Sequence, residues 1–371
     1  MFLRRVAVLT ATAAMVLAAC GTGATTAPSG AGSGCTVGVS WNNYDQERWK
    51  KADEPAIQAA IAAAGGTYIK ADADDSAEQQ LDDIDTLIAN GAKALIVLAK
   101  DADAILPAIT KANDEGIPVI SYDRLIEDEN AFYITFDNKK VGTIIAESIM
   151  AEVPEGNYVI IKGDPGDANA DFLRSGMTEA GIPEEGDTSG PIKVVWEDYT
   201  PDWDTEGARN NMEIALNSTT PVNDVQAVLS ENDGMATGVI QALEAVGVEA
   251  KVGGQDGDEA ALNRVALGTQ TVSVWKDAFA LGKTAGSIAM QLCGGTALAD
   301  VKAPSDLPDG AKPTTVDAVD FVTPGDNTVK SVTLSPTPIT QDNLNLVIDS
   351  GWITKEKACA GVDAGTVDAC G

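Results

Sequence analysis

Histidine is missing from all 371 residues. Its absence removes the commonest general base, the Ser-His and Cys-His nucleophile pairs, and the most usual zinc ligand. Enzymes can run on carboxylates alone, so this weakens an enzymatic reading without closing it. Positive charge is also short, with 25 Lys and Arg against 56 Asp and Glu, a formal net charge of −31. So acidic a chain is repelled by nucleic acid and by anionic membrane surfaces, which argues against both as partners. The same charge keeps a soluble surface apart from its neighbours and says nothing about a small ligand. Long apolar runs are lacking as well. The one candidate, from Val6 to Ala19, follows the basic stretch Met1-Phe2-Leu3-Arg4-Arg5 and is too short to span a bilayer.

That opening segment carries the pattern of an export signal. Its apolar run ends in Leu17-Ala18-Ala19-Cys20, which looks like a bacterial lipobox, where cleavage precedes a cysteine whose thiol receives a diacylglyceryl group. An ordinary signal peptide with an incidental Cys20 is the plainer alternative. We expect a signal peptide over residues 1–19 and lipidation at Cys20. The protein would then be extracytoplasmic and anchored to the outer face of the cytoplasmic membrane, with no other membrane contact. Removing residues 1–19 takes away two arginines and no acid, so −31 becomes −33. Residues 21–34 carry no charge and almost nothing to bury, so residues 20–34 read as a lipidated cysteine with a flexible tether. Four further cysteines remain, Cys35, Cys293, Cys359 and Cys370. An even number in an exported chain suggests two disulfides, with three connectivities open.

The length suits two domains, each able to bury a core, and 44% hydrophobic residues suits a soluble globular protein. From Cys35 onward, short β-branched runs alternate with longer helical patterns. Strands are expected near Thr36–Ser40, Thr67–Ala71, Ala94–Leu98, Pro118–Tyr122, Tyr133–Phe136, Tyr158–Lys162, Lys193–Trp196, Ala227–Ser230 and Thr271–Trp275. The helices include Glu47–Ala64, Ala77–Asn90, Ala102–Glu115, Lys140–Ala151, Glu206–Leu216, Met235–Ala245 and Ala278–Leu292. This is the pattern of parallel βα units, an α/β fold in which ligands sit beyond the carboxyl ends of the strands. The residues just after the strands are polar throughout: Asn42-Asn43, Asp123-Arg124, Asp137-Asn138, Asp164 to Asn169, Asn232-Asp233, Gln255-Asp256 and Lys276. Asp and Asn also cap helices at such places. Capping does not explain Trp49, Arg124 or Lys276.

Glu47-Arg48-Trp49, Tyr122-Asp123-Arg124, Phe136-Asp137-Asn138-Lys139-Lys140-Val141-Gly142, Glu231-Asn232-Asp233, Gly254-Gln255-Asp256 and Gly268-Thr269-Gln270-Thr271 closely resemble the D-xylose-binding branch of the type 1 periplasmic binding proteins. The resemblance runs in order from about Thr36 to Lys357. It implies two doubly wound parallel-sheet lobes joined by a three-segment hinge near Thr135–Lys139, Val274–Asp277 and Val332–Ile339. The first lobe would hold residues 35–137 and 277–331, and the second 138–276 and 332–371. It also implies a monomeric receptor without cofactor or metal, serving ABC permease subunits in the membrane and closing on D-xylose or a related aldose. Carboxylates accept hydroxyl protons, Arg and Lys donate, and Asn does both. By resemblance, Arg48, Arg124, Asn169, Asn232, Asp256 and Lys276 would bind hydroxyls, with Asp123 and Asp167 beside them. Trp49 and Trp203 would stack on the sugar, with Tyr199 the alternative to Trp203. In the family's topology the helix Ala278–Leu292 runs back along the first lobe, which implies Cys35–Cys293 and leaves Cys359–Cys370 to pin the tail.

One departure stands out. Xylose-binding members usually carry two consecutive asparagines after the aspartate of the sixth-strand loop, whereas this chain reads Asp167-Ala168-Asn169. Glucose, arabinose and ribose therefore stay open as ligands. The segment Ala303–Asp326 and the tail after Lys357 match nothing in the family pattern. Gly282-Lys283-Thr284 lacks the earlier glycine of a phosphate loop, since Asp277 stands there, and Asp72, Asp74 and Asp75 lack the glycine and glutamate of a calcium loop. A glycoside-processing enzyme would need two carboxylates flanking a bond, but Arg and Asn accompany the acids here as hydroxyl recognition requires. A receptor that signals to a membrane sensor could carry the same sequence.

Overall fold

Runs of Val, Ile and Leu that are apolar on both faces form parallel strands only when helices cover both sides. The computed structural model describes residues 34–304 and 315–371, and within them strand and helix alternate around two main sheets. The chain begins β1 (Thr36–Trp41), α1 (Glu54–Ala63), β2 (Thr67–Asp72), α2 (Ala77–Ala89), β3 (Ala94–Val97), α3 (Leu106–Asp114), β4 (Val119–Tyr122) and β5 (Ala131–Phe136). It continues α4 (Asn138–Glu152), β6 (Gly156–Lys162), α5 (Ala168–Glu179), β7 (Ile192–Tyr199), α6 (Thr205–Ser218) and β8 (Ala227–Ser230). Next come α7 (Asp233–Val246), β9 (Lys251–Asp256), α8 (Glu259–Leu267), β10 (Val272–Trp275) and α9 (Ala278–Cys293). The last part holds β11 (Lys302–Pro304), β12 (Thr315–Asp317), β13 (Val319–Val322), β14 (Thr328–Leu334), β15 (Thr337–Ile339), α10 (Asn345–Asp349) and α11 (Lys355–Ala358).

The first sheet has the order β13-β14-β5-β4-β3-β1-β2 and the second β15-β10-β9-β8-β6-β7. Both are parallel except at one edge, where β13 and β15 run antiparallel to their neighbours. The chain passes between the sheets three times: from β5 into α4, from β10 into α9, and from β14 to β15. The division expected between Ser331 and Val332 needs correction, because β14 stays paired with β5 through Leu334 and the third passage follows it. The described part of the unmatched segment 303–326 adds the β11–β12 ribbon and the edge strand β13. Between Gln341 and Ser350 the chain forms a 3₁₀ turn, Gln341–Asn343, followed by the short α10.

Each sheet carries its own apolar core. Ile145, Ile149, Val159, Ile161, Leu229 and Val239 are among those closing around the second sheet. On one face of the first, Leu281, Ala285 and Ile288 of α9 pack with Val37, Ile57 and Ile61. α4 and α5 cross closely enough that a Cβ at Gly142 or Gly176 would fall 1.9 Å from a facing carbonyl oxygen. Cys35 is bonded to Cys293 and Cys359 to Cys370. The tail, with Val347, Trp352, Ile353 and Val367, is buried against Leu262 and Ala266 of α8. Cys20, the expected signal peptide and the tether up to residue 33 lie outside the described residues. Among the described residues no helix is long and apolar enough to cross a membrane.

Candidate functional site

The stretch expected as one helix from Glu47 opens instead with a wider, π-type turn, Trp49–Asp53. Residues five apart face each other in such a turn. Arg48 uses this spacing to grip Asp53 with two hydrogen bonds, Nε to Oδ2 at 3.1 Å and Nη2 to Oδ1 at 2.9 Å. Its remaining nitrogen, Nη1, lies 3.1 Å from Asp123 Oδ1 and 3.6 Å from Asp256 Oδ1. Its guanidinium also covers the Trp49 ring at 4.5 Å. Asp123 follows β4 with φ 62° and Asp256 ends β9 with φ 98°. Left-handed backbone is costly for an aspartate and persists only where the surroundings enforce it. Here it aims both carboxylates at Arg48.

The other candidates arrive from the remaining strand ends. Lys276 follows β10 and stands 3.7 Å from Asp256 Oδ1. Arg124 reaches Asp167, the N-cap of α5, at 3.1 Å and donates to the Ala99 carbonyl at 3.2 Å. Asn169 donates to the Asp123 carbonyl at 3.1 Å and accepts from Asn138 at 2.7 Å. Asn232 caps α7 and donates to Gln46 at 3.1 Å. Trp203 lies in a 3₁₀ turn against Gly163, where a Cβ would come within 2.2 Å of the indole. Glycine at 163 is what lets the ring lie there.

All ten candidates line one cavity, together with Gln46 and Gln255. Its volume is about 30 Å³, room for a water or two, because Arg48 reaches toward carboxylates from both sheets. Asp123 Oδ1, Asp256 Oδ1, Gln255 Oε1 and the Nε1 atoms of Trp49 and Trp203 are buried without a hydrogen-bond partner. Buried polar atoms in proteins are nearly all paired, so each exception asks for a reason. Burial alone would raise the Asp123 carboxyl, but Arg48, Lys276 and Arg124 outweigh it and hold it below the ordinary carboxylate value. At Asp167 burial wins, and the carboxyl is raised despite Arg124. Asp53 is pushed up to about 6 by burial, against the pull of Arg48. Arg48 itself stays cationic, since its three carboxylates overcome the cost of burial.

Sequence reasoning passed over four residues of this network. Gln46 adjoins a quoted motif and Gln255 lies within one, but neither was given a ligand role, since polarity alone was the available signal. Asp53 and Asn138 act through Arg48 and Asn169, contacts that only the fold creates. Tyr199 is not among the cavity's lining residues; its hydroxyl donates to Asp171 at 2.6 Å and Lys162 lies over its ring. Ala168 packs on the apolar cluster of Leu125, Tyr133 and Val329 and does not line the cavity. Among the described residues, no group of three or more acids or cysteines is arranged to hold a metal ion.

Residues 37–297 match the family of the periplasmic binding protein domain. The D-xylose-binding periplasmic protein of Escherichia coli K12 is 36% identical over 279 residues, 74% of this chain and 82% of the relative. That of Haemophilus influenzae is 35% identical over 325 residues, 86% of this chain and 91% of the relative. Among solved structures, an ABC transporter solute binding protein from Clostridium phytofermentans with bound β-D-glucose superposes with a TM-score of 0.72. It is 27% identical, and the match covers 87% of this chain and 99% of that one. Such homologues are periplasmic sugar-binding proteins of ABC importers, and members of the family are solute-binding proteins, not enzymes. The chain belongs to the periplasmic binding protein family, in its type 1 sugar-binding branch.

Proposed function

We propose that this chain is the receptor of an ABC-type importer and binds one monosaccharide, D-xylose or a closely related aldose, in the cavity between its two sheets. The observation that carries the reading is the convergence of three cations, three carboxylates, four amides and two indoles on that one cavity. A pyranose presents hydroxyls that donate to Asp123 and Asp256 and accept from Arg48, Arg124 and Lys276, while its C–H faces lie against Trp49 and Trp203. Asn169 and Asn232 serve hydroxyls in either sense. The lobes part to admit the sugar and close on it by hinge motion at the three passages. The sugar is delivered unchanged to a permease by a monomer tethered through lipidated Cys20. Ala168, standing where xylose-binding relatives usually have an asparagine, favours a second reading in which another aldose binds as well.

A thermal-shift and calorimetric panel of xylose, glucose, arabinose and ribose tests this. A ligand at 100 times its dissociation constant stabilises by about 2.7 kcal/mol, so the preferred sugar stands out. We expect D-xylose to give the largest shift, with one sugar per chain recovered intact after long incubation. No shift with any sugar, or recovery of an altered product at a catalytic rate, would overturn the reading.

A further inference from the structure

Trp352 stands between α10 and α11, 3% exposed, in the apolar cluster that the tail forms with Leu262 and Ala266 of α8. It does not line the cavity of the candidate site. Its indole N–H nevertheless donates to the Gly257 carbonyl at 2.6 Å, one residue beyond Asp256, which does line it. A buried indole usually finds a partner for its N–H. Here that partner is the backbone of a binding turn.

The turn is gripped from the other side as well. The fully buried Asp233 carboxylate accepts from Gly257 N at 3.0 Å and from Asp258 N at 3.1 Å. Ser273 Oγ of β10 also accepts from Gly257 N, at 3.1 Å. With the bond from Trp352, the peptide joining Gly257 to Asp258 is held at both its oxygen and its nitrogen. Space is fixed too. A Cβ at Gly257, where φ is 79°, would fall 2.6 Å from Trp275 Cδ1 and 3.3 Å from Trp352 Nε1.

Asp256 itself carries a left-handed φ of 98°. For an aspartate that conformation is costly and lasts only while its neighbours over-determine it. On its N-terminal side, the β9–β10 ladder pairs Asp256 with Trp275. On its C-terminal side, the grip on Gly257 and Asp258 keeps the turn from relaxing. A relaxed turn would carry the carboxylate away from where its Oδ1 faces Arg48 at 3.6 Å and Lys276 at 3.7 Å. Asp233, Gly257, Ser273 and Trp352 all belong to the lobe of the second sheet, so the brace does not depend on closure.

We propose that Trp352 is a positioning residue for sugar binding: through the Gly257 carbonyl it holds Asp256 in its strained conformation, aimed into the cavity. The role rests on the sugar-binding reading; the bracing of the turn does not.

The test compares Trp352→Phe with the wild type, each as the full chain. Phenylalanine keeps a ring beneath Lys51, whose Nζ lies 4.9 Å from the indole, and lacks the donor. Without sugar, hydrogen exchange should be about tenfold faster in the variant at the Gly257 and Asp258 amides and unchanged in β6 and β8. Calorimetry should show the best sugar of the panel bound about fivefold more weakly. The substitution should cost nothing further in an Asp256→Ala background and the full fivefold in an Arg124→Ala background, since it acts through Asp256. A merely structural tryptophan would lower affinity equally in both. If Trp352→Phe does not fold, benzothienylalanine at position 352, which keeps the bicyclic shape without the N–H, takes its place. Unchanged sugar affinity, or an equal loss in both backgrounds, overturns the role. Amides that exchange freely in the wild type, or no faster in the variant, overturn the bracing itself. If no sugar of the panel binds, the sugar reading fails, and exchange at Gly257 still decides the brace.

Discussion

Replacing Arg48 by alanine strips a shared cation from three buried carboxylates. Asp53 loses a bidentate partner at 2.9 and 3.1 Å, and Asp123 and Asp256 lose an ion pair at 3.1 and 3.6 Å. Removing one member of a buried pair costs about 3–5 kcal/mol, because the charge left behind is uncompensated. Lys276 still faces Asp256, which keeps the expected loss inside that range despite three acids being involved. The loss must also depend on pH. Asp53 is raised to about 6 even with Arg48 in place, and without it only the hydroxyl of Tyr122, which donates to Asp53 Oδ1, still opposes burial. The folded variant then binds more protons than the unfolded chain, so its stability rises as pH falls. We expect the full loss at pH 7.5 and about half of it at pH 5, read from urea midpoints by circular dichroism. The double variant Arg48→Ala with Asp53→Asn should recover part of the loss at pH 7.5, since the two residues interact directly. A loss below about 1 kcal/mol, or one equal at the two pH values, would refute the reasoning.

Other outcomes follow from the same geometry. Arg124→Ala or Asp256→Ala should stay folded and weaken the best sugar of the panel by about 1.5–3 kcal/mol, since each leaves a charged partner unmatched; unchanged calorimetric affinity in both would remove these residues from the site. D-glucuronate should bind at least about tenfold more weakly than D-glucose, the extra charge costing one unpaired carboxylate; equal affinities would contradict a charge-balanced cavity. In the wild type, burial raises Asp53 to about 6 and also raises Asp233 and Glu231. Groups raised in the fold contribute stability at low pH that is lost as pH rises through their folded values, so urea midpoints should be higher at pH 5.5 than at pH 8, and Asp53→Asn should flatten that slope. Cys35–Cys293 closes a span of 258 residues and Cys359–Cys370 one of 11. Chain entropy gives about 5.5 and about 3 kcal/mol respectively, so Cys35→Ser/Cys293→Ser should lower the melting temperature more than Cys359→Ser/Cys370→Ser, and the reverse order would count against that account.

The strands were legible because a parallel strand buried on both faces has to be apolar along its whole length, as Ala94–Val97 is. The site was legible because ligand groups follow such strands. What escaped was set by tertiary contact. α5 contains Asn169, Ser175 and Gly176 in its interior, residues that favour helix poorly on their own, and its close crossing with α4 holds it. The π-type turn at Trp49 has no sequence mark, so the five-residue spacing of Arg48 and Asp53 meant nothing until the turn was seen. β13 is an antiparallel addition at a sheet edge, outside the βα repeat that organises the rest.

The charges of the cavity explain what kind of ligand it can hold. Three cations, Arg48, Arg124 and Lys276, stand against three carboxylates, Asp123, Asp167 and Asp256, and Asp53 backs Arg48 from outside the lining. An anionic ligand would satisfy the cations and leave a carboxylate uncompensated in a buried space, and a cationic ligand would do the converse. A neutral polyol incurs neither cost. It must still compete with ion pairs that already satisfy one another, and the geometry makes that competition mild. Arg48 is fixed by its bidentate bond to Asp53, so only Nη1 is engaged with Asp123 and Asp256. Those contacts are close in distance, but the facing oxygens accept no hydrogen bond. A hydroxyl inserted there accepts from Nη1 and donates to a carboxylate at once, turning two unoptimised ion pairs into two charge-assisted hydrogen bonds. The site therefore selects for hydroxyl groups through the direction of its hydrogen bonds and for neutrality through its balance of charge.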